Sequence, residues 1–222
     1  GNMGVIVKLR ESSTGVTALN LGFGYNRIAD YNYCYSYAAG GSVGGSSIAD
    51  AFAAQMRGSG ITSAQLSADD FNWGSIDPTY WGAALGYMTG LIGDGSGVWS
   101  RDMIGVNARP AYFTTVESSG SAGEYALSLG MNINSKIYVG ATLGLTVMNL
   151  KRNIYYGESY TYDSNPGLNY RADYFNYDQS TQMKGSGVNF KLGAIYSPIK
   201  GLRIGVAVHT PTRYSLTYHY RA

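Results

Sequence analysis

Apolar residues alternate with small or polar residues along several stretches of the chain, and this period-two pattern constrains the fold more than any other feature of the sequence. Successive side chains of a β-strand point to opposite faces, so strict alternation predicts strands with one apolar face. The clearest stretch, residues 188–196, is followed by a break at 197–201 and by a second alternating stretch at 202–208. The pattern also lies on both sides of residues 132–136 and recurs at 19–25. The sequence therefore predicts an all-β protein with tight turns at 132–136 and 197–201.

The composition of the two strand faces indicates which solvent each face meets. The non-apolar face is rich in glycine, asparagine and threonine, and only 14% of the chain is charged, compared with about 25% in soluble domains. A soluble β-sandwich would place charged residues on its outward face. We therefore expect a transmembrane antiparallel β-barrel whose apolar face contacts lipid, with a soluble all-β domain as the alternative. The longest apolar runs are too short for a spanning helix, so the expected crossing uses strands.

The distribution of turns and loops predicts a direction for the strands. Outer-membrane barrels have short periplasmic turns and long extracellular loops. We therefore expect the turns at 132–136 and 197–201 to face the periplasm. Within the single, partial barrel domain of residues 1–222, residues 36–98 are predicted to be an extracellular helical insert and residues 152–184 a tyrosine-rich extracellular loop.

Two short helices are predicted within the insert. Ser47 and Asp50 have the spacing of a capping box, and Asp77-Pro78 is typical of a second helix start. Apolar residues follow each start at helical spacing, which predicts a surface that captures an apolar ligand. The alternative is that the helices only pack against each other. The residues predicted to form this capture surface are Phe52, Met56, Trp81, Leu85 and Met88.

The cluster of serine and glycine at residues 118–123 interrupts a predicted strand. Glycine inside a strand often marks a bulge or a bend. Gly120 and Gly123 therefore predict a kink in the barrel wall, at which a lateral opening is expected.

Several segments resemble FadL-type outer-membrane transport proteins, which admit long-chain fatty acids and other hydrophobic molecules. The segments that carry the resemblance are residues 185–198, 202–212, 124–130, 136–144 and 21–27. The resemblance implies a fourteen-stranded barrel with an N-terminal hatch, capture of ligand by outer loops and lateral exit through the wall. We therefore expect about half of such a barrel, lacking the hatch and the C-terminal strands, and acting as a monomer in the bacterial outer membrane. Its expected partners are a hydrophobic small molecule, the lipid bilayer and detergent.

Lys191 and Arg203 are the residues predicted to bind the carboxylate of a fatty acid, because both fall on the polar phase of adjacent predicted strands. The alternative is that they are hydrated charges or pair with Glu124 or another carboxylate. His209 and His219 have no Cys, Asp or Glu at metal-ligand spacing, so neither a metal nor a cofactor is expected.

Charge and motifs bear on two further classes of function, nucleic-acid binding and enzymatic catalysis. The net charge of +2 comes without a dense Lys/Arg cluster, so nucleic acid is not an expected partner. The sequence has no P-loop or HExxH motif, and we do not expect an enzyme. The predicted function is uptake of fatty acids or other hydrophobic molecules. The alternative is an adhesin or receptor that acts through the tyrosine-rich segment between Tyr155 and Tyr177.

Overall fold

The computed structural model describes residues 1–95, 97–105, 107–162 and 172–222. The chain is mostly antiparallel β-sheet and divides into two compact units. The first, called the sheet unit, comprises Gly1–Tyr33, Glu117–Arg152 and Thr181–Tyr220. The second, called the helical unit, comprises Cys34–Val116, Asn153–Ser180 and Arg221–Ala222.

The described residues form one large sheet and one two-stranded sheet. The strands are β1 (Asn2–Glu11), β2 (Val16–Asp30), β3 (Tyr33–Gly40), β4 (Ile92–Gly93), β5 (Ser100–Arg101), β6 (Ala108–Ile133), β7 (Ile137–Tyr162), β8 (Tyr174–Tyr196), β9 (Ile204–His209) and β10 (Arg213–Arg221). The large sheet has the order β1-β2-β6-β7-β8-β10, with β3 paired to β6 and β9 paired to β8, while β4 and β5 form the small sheet. The two ends of the large sheet do not pair with each other within the described residues.

The strand register in the sheet unit follows the alternation of the sequence. Leu21 of β2 lies opposite Val7 of β1 and Leu129 of β6, while its neighbour Gly22 lies opposite Ile6 and Ser128. Because side chains alternate between faces, this register places the apolar phases of neighbouring strands on one face and the small or polar phases on the other. The two sides are called the apolar face and the polar face below.

Both predicted turns are confirmed. β6 ends at Ile133 and β7 begins at Ile137, and the Lys136 N–H donates to the Ile133 carbonyl. Asn134 and Ser135 have φ angles of 50° and 58°, as a two-residue type I′ hairpin turn requires. The second predicted turn lies in the connection between Tyr196 and Ile204, the residues that end β8 and begin β9.

The helical unit contains α1 (Ile48–Ser59), α2 (Ser63–Leu66) and α3 (Trp81–Met88), with short 3₁₀ turns at Trp73–Ser75 and Pro78–Tyr80. The predicted capping box is confirmed: the Ser47 hydroxyl accepts from the Ala49 N–H, and Asp50 accepts from the Ser47 N–H. The Asp77 carboxylate accepts from the Thr79 N–H, and Thr79 holds the pKa of Asp77 below its usual value. No helix of the described residues is long and apolar enough to span a membrane.

The predicted apolar stripe of the second helix is wrong. The buried residues of α3 are the small ones, Gly82, Ala83, Ala84 and Gly86, which allow the helix to approach the Phe52 ring closely. Ile92, an apolar residue at helical spacing after Met88, lies beyond the helix in β4.

The predicted extracellular loop at residues 152–184 is wrong for most of its length. β7 continues to Tyr162 and β8 begins at Tyr174, so aromatic residues assigned to a loop belong to strands. Tyrosine favours strands, and this preference outweighs the polar character of the segment. Residues 163–171, which make up most of the remaining loop, lie outside the described residues.

The segment at residues 118–123 belongs to a single long strand, β6, with an irregular backbone. Gly120 has a φ of +127°, and the register of β2 against β6 shifts between Arg27 and Ala29. The chain does not separate at this point on the β2 side: the Tyr31 N–H donates to the Gly120 carbonyl, and the Gly120 N–H donates to the Asn32 side chain. At Gly123, a Cβ would meet the Tyr25 ring. The structure therefore has the predicted irregularity, but neither glycine borders an opening on this side.

Candidate functional site

The apolar face of the sheet unit is exposed, whereas much of the polar face is buried. On β7, Leu145 and Val147 are each 50% exposed, while Thr146 between them is 1% exposed. On β8, Phe190 is 41% exposed and the adjacent Asn189 is 3% exposed. This is the reverse of a water-soluble sheet, in which the apolar face is the buried one.

The exposed apolar band on β7 is long enough to be compared with the apolar band of a transmembrane barrel. On β7 it includes alternate residues between Ile137 and Val147, after which Asn149 and Lys151 continue the same face. An extended segment of that length spans about 36 Å along the strand, or about 25 Å at a tilt of about 45°. Transmembrane barrels carry an apolar band of about 25 Å.

Aromatic rings lie near one edge of the apolar band. Tyr25 of β2 and Tyr125 of β6 are paired in register, and their ring centroids are 5.0 Å apart. Phe23 stacks on Tyr125 at 6.4 Å. Two positions beyond Tyr25 the same face carries a charge, Arg27, which forms an ion pair with Asp30 at 2.9 Å. Aromatic residues between apolar and charged positions are typical of a membrane interface.

A connected polar cluster lies on the opposite face. The Lys191 ammonium donates to Glu124 Oε1 at 2.6 Å, and the Asn189 amide nitrogen donates to Glu124 Oε2 at 2.8 Å and to the Thr212 hydroxyl at 3.3 Å. His209 of β9 lies directly opposite Lys191 of β8. Asn189 Oδ1 has no hydrogen-bond partner among the described residues. The cluster therefore holds a cation, Lys191, that is paired with Glu124, and a buried amide oxygen without a partner among the described residues.

The structure does not bring Lys191 and Arg203 together. Lys191 lies opposite His209, whereas Arg203 precedes β9 and is exposed in the turn connection. Six residues separate Arg203 from His209 in the sequence, which corresponds to about 20 Å along an extended strand. Lys191 instead has the alternative partner considered from the sequence, Glu124.

A shallow trough of about 630 Å³ lies beside the polar cluster, toward the hairpin turns. Gly193, two residues beyond Lys191, and Ala207, two residues before His209, both line it. A Cβ at Gly130 would meet no atom within 4 Å, and one at Gly193 would meet only the Val206 carbonyl at 3.8 Å. The missing side chains therefore leave open space in the trough. Its lining residues are Ala18, Asn20, Gly130, Met131, Asn132, Tyr138, Val139, Gly140, Gly193, Ala194, Ile195, Gly205, Val206 and Ala207.

The predicted capture surface is divided by the packing of the helical unit. Phe52 and Met56 are 8% and 1% exposed and belong to its hydrophobic core. Trp81 and Leu85 are half-buried, and the Trp81 indole donates to the Trp73 carbonyl at 3.1 Å. Met88, at 45% exposure, is the most exposed of the five predicted residues. The alternative of helices that pack together thus accounts for Phe52 and Met56.

Sequence reasoning missed the buried carboxylate of the helical unit, Glu158. This residue is 1% exposed and accepts hydrogen bonds from the Ser47 hydroxyl at 2.6 Å, the Ile48 N–H at 2.7 Å and the hydroxyls of Tyr156 and Tyr160. Burial, together with the bond to Glu158, raises the pKa of both tyrosines well above the usual value. The sequence signal for this buried site is a glutamate with a tyrosine two residues before it and another two residues after it. These three side chains are expected to share one face only if residues 152–162 are assigned to a strand.

Comparison with known proteins provides no relative: no protein-family model, curated protein or solved structure matches the chain.

Proposed function

We propose that the sheet unit is part of the wall of a transmembrane β-barrel in a bacterial outer membrane, and that the protein takes up long-chain fatty acids or other hydrophobic small molecules. The observation that carries the proposal is the exposed apolar face of β2, β6, β7, β8 and β9. Such a surface is unfavourable in water, because burying a large apolar side chain stabilises a protein by about 1.5–3 kcal/mol and each exposed side chain lacks this stabilisation. Lipid removes that cost.

The trough and the polar cluster support a ligand that has an apolar body and a polar head. The trough is lined mainly by small and apolar groups, and Lys191 and His209 lie two residues along their strands from its lining residues Gly193 and Ala207. An acyl chain is proposed to occupy the trough and a carboxylate to approach Lys191, in competition with Glu124. Arg203 is left out of the head-group site because of its distance along the strand.

Binding of a fluorescent long-chain fatty acid to the full chain in mild detergent tests the trough. Gly193→Leu places a side chain in its open space, and we expect the dissociation constant to rise about tenfold, equivalent to about 1.4 kcal/mol. Gly40→Leu is the matched control, because a Cβ at Gly40 of β3 also meets no atom within 4 Å but lies outside the trough. Equal weakening by both substitutions, or by neither, would contradict the proposed site.

A second comparison tests the head-group contact. Lys191→Gln is expected to weaken binding of the fatty acid but not of the fatty alcohol of equal length, since only the acid carries a negative charge. Arg203→Gln is the control and should leave both ligands unaffected. If Lys191→Gln weakens the acid and the alcohol equally, Lys191 does not bind the head group. Failure of the correctly inserted wild-type protein to bind either ligand would contradict the uptake function itself.

A further inference from the structure

Two lysines extend the apolar face of the sheet unit beyond the apolar band, at the edge away from the hairpin turns. Lys151 of β7 follows Val147 by four residues, and Lys184 of β8 precedes Val188 by four residues. The alternation of exposed and less exposed positions continues without a break from each valine to each lysine. Both lysines are therefore on the same face as the apolar band, about 13 Å beyond its last side chains along the strands.

The pairing of β7 with β8 makes the two lysines neighbours. The Ser197 N–H donates to the Lys136 carbonyl at 2.7 Å near one end of the β7–β8 pair, and the Tyr160 N–H donates to the Asp173 carbonyl at 2.8 Å near the other. Both bonds give the same antiparallel register, in which Gly144 of β7 lies opposite Asn189 of β8, and Gly144 does approach the Asn189 side chain. Five residues further along each strand, this register places Asn149 opposite Lys184. Lys151 is then the diagonal neighbour of Lys184, at about 7–8 Å.

Neither lysine is neutralised by the described part of the chain. The ion pairs of the described residues leave both ammonium groups without a carboxylate partner, and Glu117, which is exposed on the neighbouring β6, pairs with neither. Arg27, on the same face of β2, differs because Asp30 neutralises it at 2.9 Å. Two neighbouring ammonium groups repel each other, and this repulsion destabilises the pairing of the two strands unless an anion binds between them.

We propose that Lys151 and Lys184 bind the phosphate of a lipid head group. The inference rests on the proposed membrane placement of the sheet unit, since lipid acyl chains against Val147 and Val188 would bring the phosphate to the level of the two ammonium groups. Asn149 and Ser186, the polar residues between each valine and its lysine, are suited to the less apolar region below the phosphate. Clusters of lysine next to a membrane-embedded surface attract anionic lipid in the same way.

The test uses the full chain in detergent micelles titrated with lipid A, a phosphorylated glycolipid, with bound lipid counted by native mass spectrometry. We expect Lys151→Gln/Lys184→Gln to weaken binding about thirtyfold, because each lysine near an anionic surface contributes about fivefold. Lys136→Gln/Lys200→Gln, which removes two exposed lysines at the hairpin turns, is the charge-matched control and should bind like the wild type. Removal of the phosphates from the lipid should weaken binding to the wild type as much as the double substitution does.

The outcomes separate this inference from the proposed function. Equal binding of phosphorylated and dephosphorylated lipid, or equal loss in both double variants, would overturn the head-group site. Displacement of the lipid by millimolar inorganic phosphate would show a free-phosphate site instead, which also overturns it. A probe at position 145 reports separately on insertion: if a quencher in the lipid phase does not reach it, the membrane placement fails, whatever the lysines bind.

Discussion

At the scale of single residues, Glu158 shows how a charged side chain positions the helical unit. Its two carboxylate oxygens accept four hydrogen bonds, two of which come from Ser47 and Ile48 at the start of α1. A buried carboxylate is tolerated only when its lone pairs are occupied in this way. Glu158 therefore anchors the N-terminus of α1 to the strand that carries Tyr156 and Tyr160.

Replacing the carboxylate by its isosteric amide tests this anchor. Glu158→Gln loses the charge and one acceptor while adding a donor that faces other donors, so we expect a loss of about 1–3 kcal/mol in unfolding free energy. Urea unfolding followed by tryptophan fluorescence measures the change, because all three tryptophans lie in the helical unit. Glu117→Gln, at an exposed position, should change stability by less than about 0.5 kcal/mol. Equal effects of the two substitutions would contradict the anchor.

Gly120 is a position at which the structure excludes any side chain. A φ of +127° is rarely adopted by other residues, and a Cβ there would collide with the backbone at Asn149 and Leu150. We expect Gly120→Ala to reduce the unfolding free energy by about 1–3 kcal/mol. Gly130→Ala, which adds the same methyl group in open space, should be neutral or slightly stabilising when urea unfolding of the sheet is followed by far-UV circular dichroism. A neutral Gly120→Ala would mean that the irregular backbone is not required.

At the scale of elements, the hairpin between β6 and β7 is stabilised less than its geometry allows. Ser135 occupies a left-handed position that favours glycine, with a φ of 58°. Ser135→Gly should raise the unfolding free energy by about 0.5–1 kcal/mol, because Asn-Gly suits a type I′ turn. Ser13→Gly, in the connection between β1 and β2 at a position without positive φ, is the control and should be neutral or destabilising. A stabilising effect of both would indicate a general effect of glycine in turns.

The elements that the sequence predicts are those with strict alternation or a complete cap. The alternating segments of β2, β6, β7, β8 and β9 and both turns appear at their predicted positions, and so does the capping box of α1. These are local patterns, in which side-chain period or cap chemistry alone selects the backbone. The parts that were missed need tertiary information, as in α3, where small residues are buried because Phe52 lies against them.

The candidate site was predictable only in part, for the same reason. The polar phase of β8 identified Lys191 as a residue of the polar face, and Glu124 was among the considered partners. The separation of Lys191 from Arg203 follows from the register of the β8–β9 hairpin, in which Lys191 lies opposite His209, six positions beyond Arg203. The trough could not be read from the sequence, because it is formed by residues of five strands that only the sheet register brings together.

At the scale of the whole molecule, the sheet unit and the helical unit differ in which side chains they bury. The sheet unit exposes its leucines, valines and phenylalanines and buries threonine and asparagine, whereas the helical unit has a conventional hydrophobic core around Met56 and Ile92. One chain thus contains a sheet unit whose apolar side chains are exposed and a helical unit whose apolar side chains are buried. The proposed uptake function and the proposed head-group site both require that the apolar face of the sheet unit meets lipid.

A scan along β7 in liposomes tests that requirement most directly. Single cysteines are placed at positions 142–147 in a Cys34→Ser background, labelled with an environment-sensitive fluorophore and exposed to a quencher confined to the lipid phase. We expect quenching to alternate, strong at 143, 145 and 147 and weak at 142, 144 and 146, since only the odd positions lie on the apolar face. Uniformly weak quenching with high accessibility to a water-soluble thiol reagent at the odd positions would contradict the membrane placement.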